Sequence, residues 1–208
     1  MDHGARVINI SGFLNMSLIP SSEARNRLED AFTHAANSDV IIVIPAGNNA
    51  KEVEDYPGDG HFTIVAGATT LNGERWEEEI SIGQDQTIKQ GSSYGKRLTV
   101  MAPVENLAVC VPHEERYYSA DDSPAGTTEQ EFRDMYEIMP SGATSSAAPI
   151  VTSLVGLVYS LRPDLDAKSV IQIIQQGCDD IGEPGYDIYT GYGRLNFHKT
   201  LELAKSWD

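Results

Sequence analysis

Basic residues are scarce in this chain: 15 Lys and Arg stand against 31 Asp and Glu in 208 residues, a net charge of −16. A surface this acidic repels phosphate, which argues against nucleic acid or an anionic membrane as a partner. The acid comes in short runs, such as Glu77-Glu78-Glu79, Glu114-Glu115, Asp121-Asp122 and Asp179-Asp180, and these read most simply as solvated surface. Cysteine is rare too. Cys110 and Cys178 lie far apart without metal-binding spacing, so they either pair or stay free. No stretch reaches 18 consecutive apolar residues, which argues against a membrane-spanning helix. Met1-Asp2-His3-Gly4 lacks the basic segment and apolar run of a secretory signal. There is no internal repeat and no low-complexity tract.

The length suffices to bury a sizeable core and favours one domain. Arg6-Val7-Ile8-Asn9-Ile10-Ser11 reads as a short buried strand. Between Ser22 and Ala36, the residues Ala24, Leu28, Ala31, Phe32 and Ala35 share one face of a helix. The β-branched run Val40-Ile41-Ile42-Val43-Ile44 predicts a parallel strand covered on both faces. Phe62–Ala66 and Leu98–Ala102 predict two more. Strands separated by helical stretches predict an α/β fold with a largely parallel sheet. Two polar segments read as insertions. One covers about 71–90, with a hairpin near Gly83. The other covers about 112–140, a loop with one short helix whose start fits a capping box from Thr128 to Glu131. Ser145 to Leu161 is apolar almost all round and predicts a central buried helix. Asp166 to Gln176 is amphipathic with Gly177 as its C-cap, and Asn196 caps a last helix that runs to Lys205.

Ser145 opens the apolar helix in Gly142-Ala143-Thr144-Ser145-Ser146-Ala147-Ala148-Pro149. A helix start offers free backbone N–H groups and a positive dipole end, both favourable to negative charge developing on a substrate oxygen. Proline is tolerated in a first turn, where its missing N–H would be unpaired anyway. A lone serine in this place is more often simply an N-cap, and Gly47-Asn48 after a strand is more often simply a turn. Seven segments in order, however, carry a resemblance. The Ser145 stretch resembles the G-T-S-x-A-x-P signature of subtilisin-like serine proteases, with Ala143 where glycine is usual. Pro45-Ala46-Gly47-Asn48 is similar to that family's A-A-G-N, and Val7–Gly12 to its V-I-N-M-S. Tyr56-Pro57-Gly58 with Ile64–Ala68 resembles Y-P-x and V-x-A-V-G-A. Ser92–Gly95 is similar to S-N-Y-G, Val100–Pro103 to D-V-A-A-P, and Gly191–Asn196 to G-x-G-x-V-N. No G-x-S-x-G elbow, the mark of another serine hydrolase fold, occurs.

The resemblance implies a subtilisin-like three-layer α/β fold with a mainly parallel sheet, incomplete at its N-terminal side. Residues 1–208 would then form the C-terminal part of a single catalytic domain. It also implies peptide-bond hydrolysis through an acyl-enzyme on Ser145. The Asn48 amide would be an oxyanion donor, of the kind worth about 3–4 kcal/mol, and would matter for turnover and not for folding. The family orders its triad Asp, His, Ser, and the first two precede V-I-N-M-S, so they are expected upstream of Met1. None of His3, His34, His61, His113 and His198 sits in an H-G-T-H context. Asp2-His3-Gly4 abuts the strand at Arg6 where the family has a helix end, with Gly4 as its cap. The chain alone is therefore expected to be inactive, as a truncated form, one chain of a split enzyme or a gene fragment. A non-catalytic peptide-binding module is the alternative.

Substrate binding is implied for Ser11, Gly12 and Phe13, and for pocket walls at Pro45, Ala46, Gly47 and Asp55. Carboxylates at Glu52, Glu54 and Asp55 would favour a basic P1 side chain, and they read otherwise as a solvated acidic loop. No cofactor is required and no metal ligand is named. Structural calcium is common in the family, with one usual site following the Y-P segment through backbone oxygens. The implied partners are a peptide or protein substrate and the upstream half of the catalytic domain, in cis or in trans. The strand edge at Val7–Ile10, left open without that half, invites self-association. The resemblance points to a secreted or cell-envelope location.

Overall fold

Ile41-Ile42-Val43-Ile44 becomes one of the two inner strands of a parallel sheet, and it is buried at every position because both faces are covered. The computed structural model describes residues 4–12, 14–58, 62–81, 86–110 and 136–207, with the backbone alone at 81, 108–110 and 136–141. They fall into two units, Met1–Val104 with Ala143–Asp208, and Glu105–Gly142. Along the first unit run β1 (Val7–Asn9), α1 (Ser22–Asn37), β2 (Ile41–Pro45), β3 (Thr63–Thr69), β4 (Glu77–Ser81), β5 (Thr87–Gly91), β6 (Leu98–Pro103), α2 (Thr144–Leu161), α3 (Ala167–Gly177) and α4 (Phe197–Lys205). The main sheet has the order β1-β2-β3-β6, parallel throughout, as the strand and helix alternation predicts.

Three layers follow from the alternation along β2. Ile42 and Ile44 join Phe32 and Ala35 of α1, with Val65, Leu98 and Met101, in one core cluster. Ile41 and Val43 face the other way, where α2 packs on β1, β2, β3 and β6 and is backed by α3 and α4. Ser21 caps α1 by accepting from the Ala24 N–H, and Asn196 caps α4 from its Oδ1, as expected. Cys178 is a free, buried thiol, and burial pushes it up to about 12 while Lys199 pulls weakly the other way.

Several expectations change. The helix from Thr144 is not buried all round: Leu157 and Leu161 are 44% and 40% exposed, on a flank shared with Ser153 and Ser160, whose hydroxyls bond back to Pro149 O and Gly156 O. By length and hydropathy this 18-residue helix could cross a bilayer, but here it is the layer laid on the sheet. Gly177 does not cap α3 in a left-handed turn. It is the last helical residue, and its need for glycine is close approach, since a Cβ there would strike the Thr200 Oγ1 and Cα. The hairpin expected near Gly83 is present as antiparallel β4–β5, its tip outside the described residues. In the second unit β7 (Glu105–Cys110) pairs antiparallel with β8 (Tyr136–Ser141), where a loop reaching Pro140 was expected. The helix expected from Thr128 lies outside the described residues, as do Asp2 and His3; Gly4 itself has φ 73°.

Candidate active site

Beyond β2 the chain must turn across the carboxyl end of the parallel sheet, where open α/β sheets place their ligands. Ala46 still pairs, its N–H donating to Ala66 O at 2.8 Å. Gly47 then takes φ 97°, which a side chain would resist, and the turn delivers Asn48 to the start of α2. The turn is stitched to the hairpin's end: Ser93 N–H donates to Gly47 O (2.8 Å), Gly91 N–H to Asn48 O (3.0 Å) and Ala50 N–H to Gly91 O (2.9 Å).

The N-cap of α2 is Ala143, which has no side-chain oxygen to offer. Asn48 fills that role from 96 residues away: its Oδ1 accepts from the Thr144 N–H (3.0 Å) and the Thr144 hydroxyl (2.6 Å). The Thr144 Oγ1 in turn accepts from the Gly47 N–H (3.1 Å), and Thr144 is fully buried. With its oxygen engaged, the amide presents its Nδ2 donors from the opposite end. Through these bonds Asn48 takes part in the fold, where the sequence led us to expect a residue that matters for turnover and not for folding. Ser145 is the second helical residue and half-buried, so its hydroxyl is not needed as a cap. Among the described residues its N–H has no acceptor, whereas those of Ser146 and Ala147 both reach Ala143 O. Pro149 is the sixth helical residue, past the first turn. The bond it deletes is therefore the one its N–H would have made to the Ser145 carbonyl.

Ser11 and Gly12 are exposed just past β1, while buried Pro45 ends the neighbouring β2 and buried Ala46 and Gly47 follow it, so both groups leave the same end of the sheet. The first is tied down by Asn9, whose Nδ2 donates to Ser11 Oγ (2.9 Å) and whose Oδ1 accepts from Thr152 of α2 (3.1 Å). Phe13 lies outside the described residues. Asp55 is exposed, with its main-chain oxygen accepting from Met16 N–H at 2.8 Å. Next to it, the buried Tyr56 hydroxyl donates to Ala46 O at 2.7 Å and so ties the two walls together. Burial pushes that phenol well above its ordinary value, with Arg97 opposing. Sequence reasoning missed this tie and the Thr144–Asn48 link, because both join residues through space. The described histidines are His34 on α1 and His198 on α4, and no hydrogen bond joins either to Ser145; His3, His61 and His113 lie outside the described residues.

The profile of the subtilase family, peptidase S8, matches residues 1–193. A probable subtilase-type serine protease of Deinococcus radiodurans is 25% identical over 211 positions, covering 99% of this chain and 25% of that protein. The cell wall-associated protease of Bacillus subtilis is 26% identical over 79% of this chain and 17% of that protein. The chain thus spans a quarter or less of the length of these curated relatives. Among solved structures, the prenylagaramide maturation protease PagA superimposes with a TM-score of 0.66 at 19% identity, over 98% of this chain and 63% of PagA. At that identity the likeness speaks to the fold. The family match runs from the first strand through the Asn48 turn and the start of α2 to Gly193, and on that extent this chain belongs to the subtilase family.

Proposed function

We propose that this chain carries the nucleophile and the oxyanion donors of a subtilisin-like serine endopeptidase, and that a preceding half of the catalytic domain supplies the base and its orienting carboxylate, in cis or in trans. In that reading the Ser145 Oγ attacks the scissile carbonyl carbon while its proton passes to the imidazole. The carbonyl oxygen takes the electron pair and is held by the Asn48 Nδ2 and the Ser145 N–H. Collapse breaks the C–N bond, the imidazolium protonates the leaving amine, and the acyl group stays on Ser145 until water repeats the sequence and releases the acid. The observation that carries the proposal is the Asn48 amide, held by two donors of Thr144 beside a helix start whose Ser145 N–H is open. Donors fixed before reaction need no reorganisation as the charge develops.

The exposed Glu52, Glu54 and Asp55 support a preference for Arg or Lys at P1. Asp55→Asn should weaken it, and a substrate library that ranks large apolar P1 residues first would remove the idea. The cell wall-associated relative supports a secreted or envelope location. Fluorophosphonate labelling tests the main proposal. Without an imidazole, a serine hydroxyl is a weak nucleophile, so Ser145 should label poorly in the chain alone and strongly once the preceding half is added. Strong labelling of Ser145 in the chain alone would place the base within it.

A further inference from the structure

The resemblance makes a structural calcium possible after Tyr56-Pro57, held by main-chain oxygens, but the described residues at that turn do not fit one. The Gly58 carbonyl, the described main-chain oxygen that follows the pair, accepts from Arg97 Nη2 at 2.9 Å. The Gly58 N–H donates to the Glu29 carboxylate, 3.2 and 3.1 Å from its two oxygens. Gly58 has φ 74°, and a Cβ there would strike Phe32 and the Thr63 hydroxyl, so the turn has little room to re-form around an ion. Beside it lies a cavity of about 360 Å³ walled by Lys96, Arg97, Thr63, Gln175, Tyr186 and Tyr192. Its described lining holds two cationic side chains and no carboxylate. Among the described residues no three His, Cys, Asp or Glu side chains gather as a metal site.

We propose that Arg97 is the built-in cation of this turn and replaces calcium there. Calcium asks for about six to eight oxygen ligands, and among the described residues the Gly58 carbonyl is already taken by the Arg97 guanidinium while the Glu29 carboxylate is committed to the Gly58 N–H. A guanidinium offers directed donors and stays charged at any pH the fold tolerates. It therefore clamps the turn from the residue just before β6, without an ion. The turn also carries Tyr56, whose hydroxyl holds Ala46 O, so Arg97 acts on the site's wall at one remove, as a positioning residue. The clamp is read in stability and stands apart from the catalytic proposal.

Thermal unfolding of the full chain tests it, in excess chelator and in millimolar calcium, for wild type, Arg97→Gln and Arg97→Lys. In chelator Arg97→Gln should lower the midpoint by about 3–6 °C, and Arg97→Lys by less. Calcium should raise the wild-type midpoint no more than it raises that of Arg97→Gln. A calcium effect larger in wild type would mean that the ion binds at the intact turn, and would overturn the proposal. So would an Arg97→Gln midpoint unchanged in chelator, because the guanidinium would then be holding nothing. If Arg97→Gln does not fold, Arg97→Lys carries the same comparison.

Discussion

With its oxygen on Thr144 and its nitrogen free to face a substrate, the Asn48 amide does two separable things, and two substitutions separate them. Asn48→Ala removes the acceptor for two Thr144 donors, one of them the first N–H of α2. The loss of a helix cap of this kind costs about 1–2 kcal/mol. Asn48→Asp keeps an acceptor in place, in a position the helix dipole favours, but has no N–H to give. In the reconstituted enzyme both should lower kcat by about 10²–10³-fold with little change in KM. In urea unfolding of the chain Asn48→Ala should be clearly destabilised and Asn48→Asp less so. A wild-type kcat in Asn48→Asp would take the amide nitrogen out of the oxyanion hole, and an Asn48→Ala of full stability would take the amide oxygen out of the cap. Each residue of this pair was legible in its own motif. Their union was not, because a bond across 96 residues leaves no periodicity or local pattern to read.

Elements whose reasons are local were legible, and those whose reasons lie across space were not. The run at Ile41–Pro45, the amphipathic α1 and α3 and the Asn196 cap each announce themselves within a few residues, and each is where the pattern puts it. Strands β7 and β8 pair across a separation of 25 residues, from Cys110 to Tyr136, so each meets its partner only in the folded chain. Gly177 teaches the same lesson at one position: it looked like a cap, yet the reason for glycine is α4, which brings Thr200 against the end of α3. Its φ is not in the left-handed region, so alanine would bring no backbone strain. On helix propensity alone Gly177→Ala would stabilise by up to about 1 kcal/mol. The overlap with Thr200 reverses the sign, and forcing a methyl into a packed contact costs about 1–3 kcal/mol. Chemical denaturation should show a net loss that is smaller when Gly177→Ala is made in a Thr200→Gly background, which removes the Oγ1 and Cβ overlaps and leaves that with the Cα. A stabilised single variant would mean that the two helices are not so close.

At the scale of the whole chain, the sheet ends at β1, which among the described residues has a strand neighbour on one side only. Ile10 N–H donates to Val43 O, so in a parallel ladder Ile8 and Ile10 turn their N–H groups inward while Val7 and Asn9 turn theirs away. Natural edges are guarded by charge, proline or a bulge. Among the described residues beside this edge, the charged Arg6 is spent elsewhere: its Nη2 donates to Leu165 O (2.7 Å) and Asp39 (3.1 Å), and its guanidinium lies over the Tyr159 ring at 4.1 Å. Exposed Leu157 and Leu161 add apolar surface on α2. Against association stands a net charge of −16, which keeps copies apart when little salt is present. We therefore propose that the chain self-associates through β1 and does so more as salt is added, since the screening length falls from about 30 Å at 0.01 M to about 8 Å at 0.15 M. Light scattering on a size-exclusion column should show mass rising with salt. Hydrogen exchange should report Val7 and Asn9 fast at low salt and protected at high salt, with Ile8 and Ile10 slow in both. A partner half that supplies the neighbouring strand should abolish the rise. A monomer at both salts, with Val7 and Asn9 exchanging freely throughout, would mean that the exposed edge recruits no second chain.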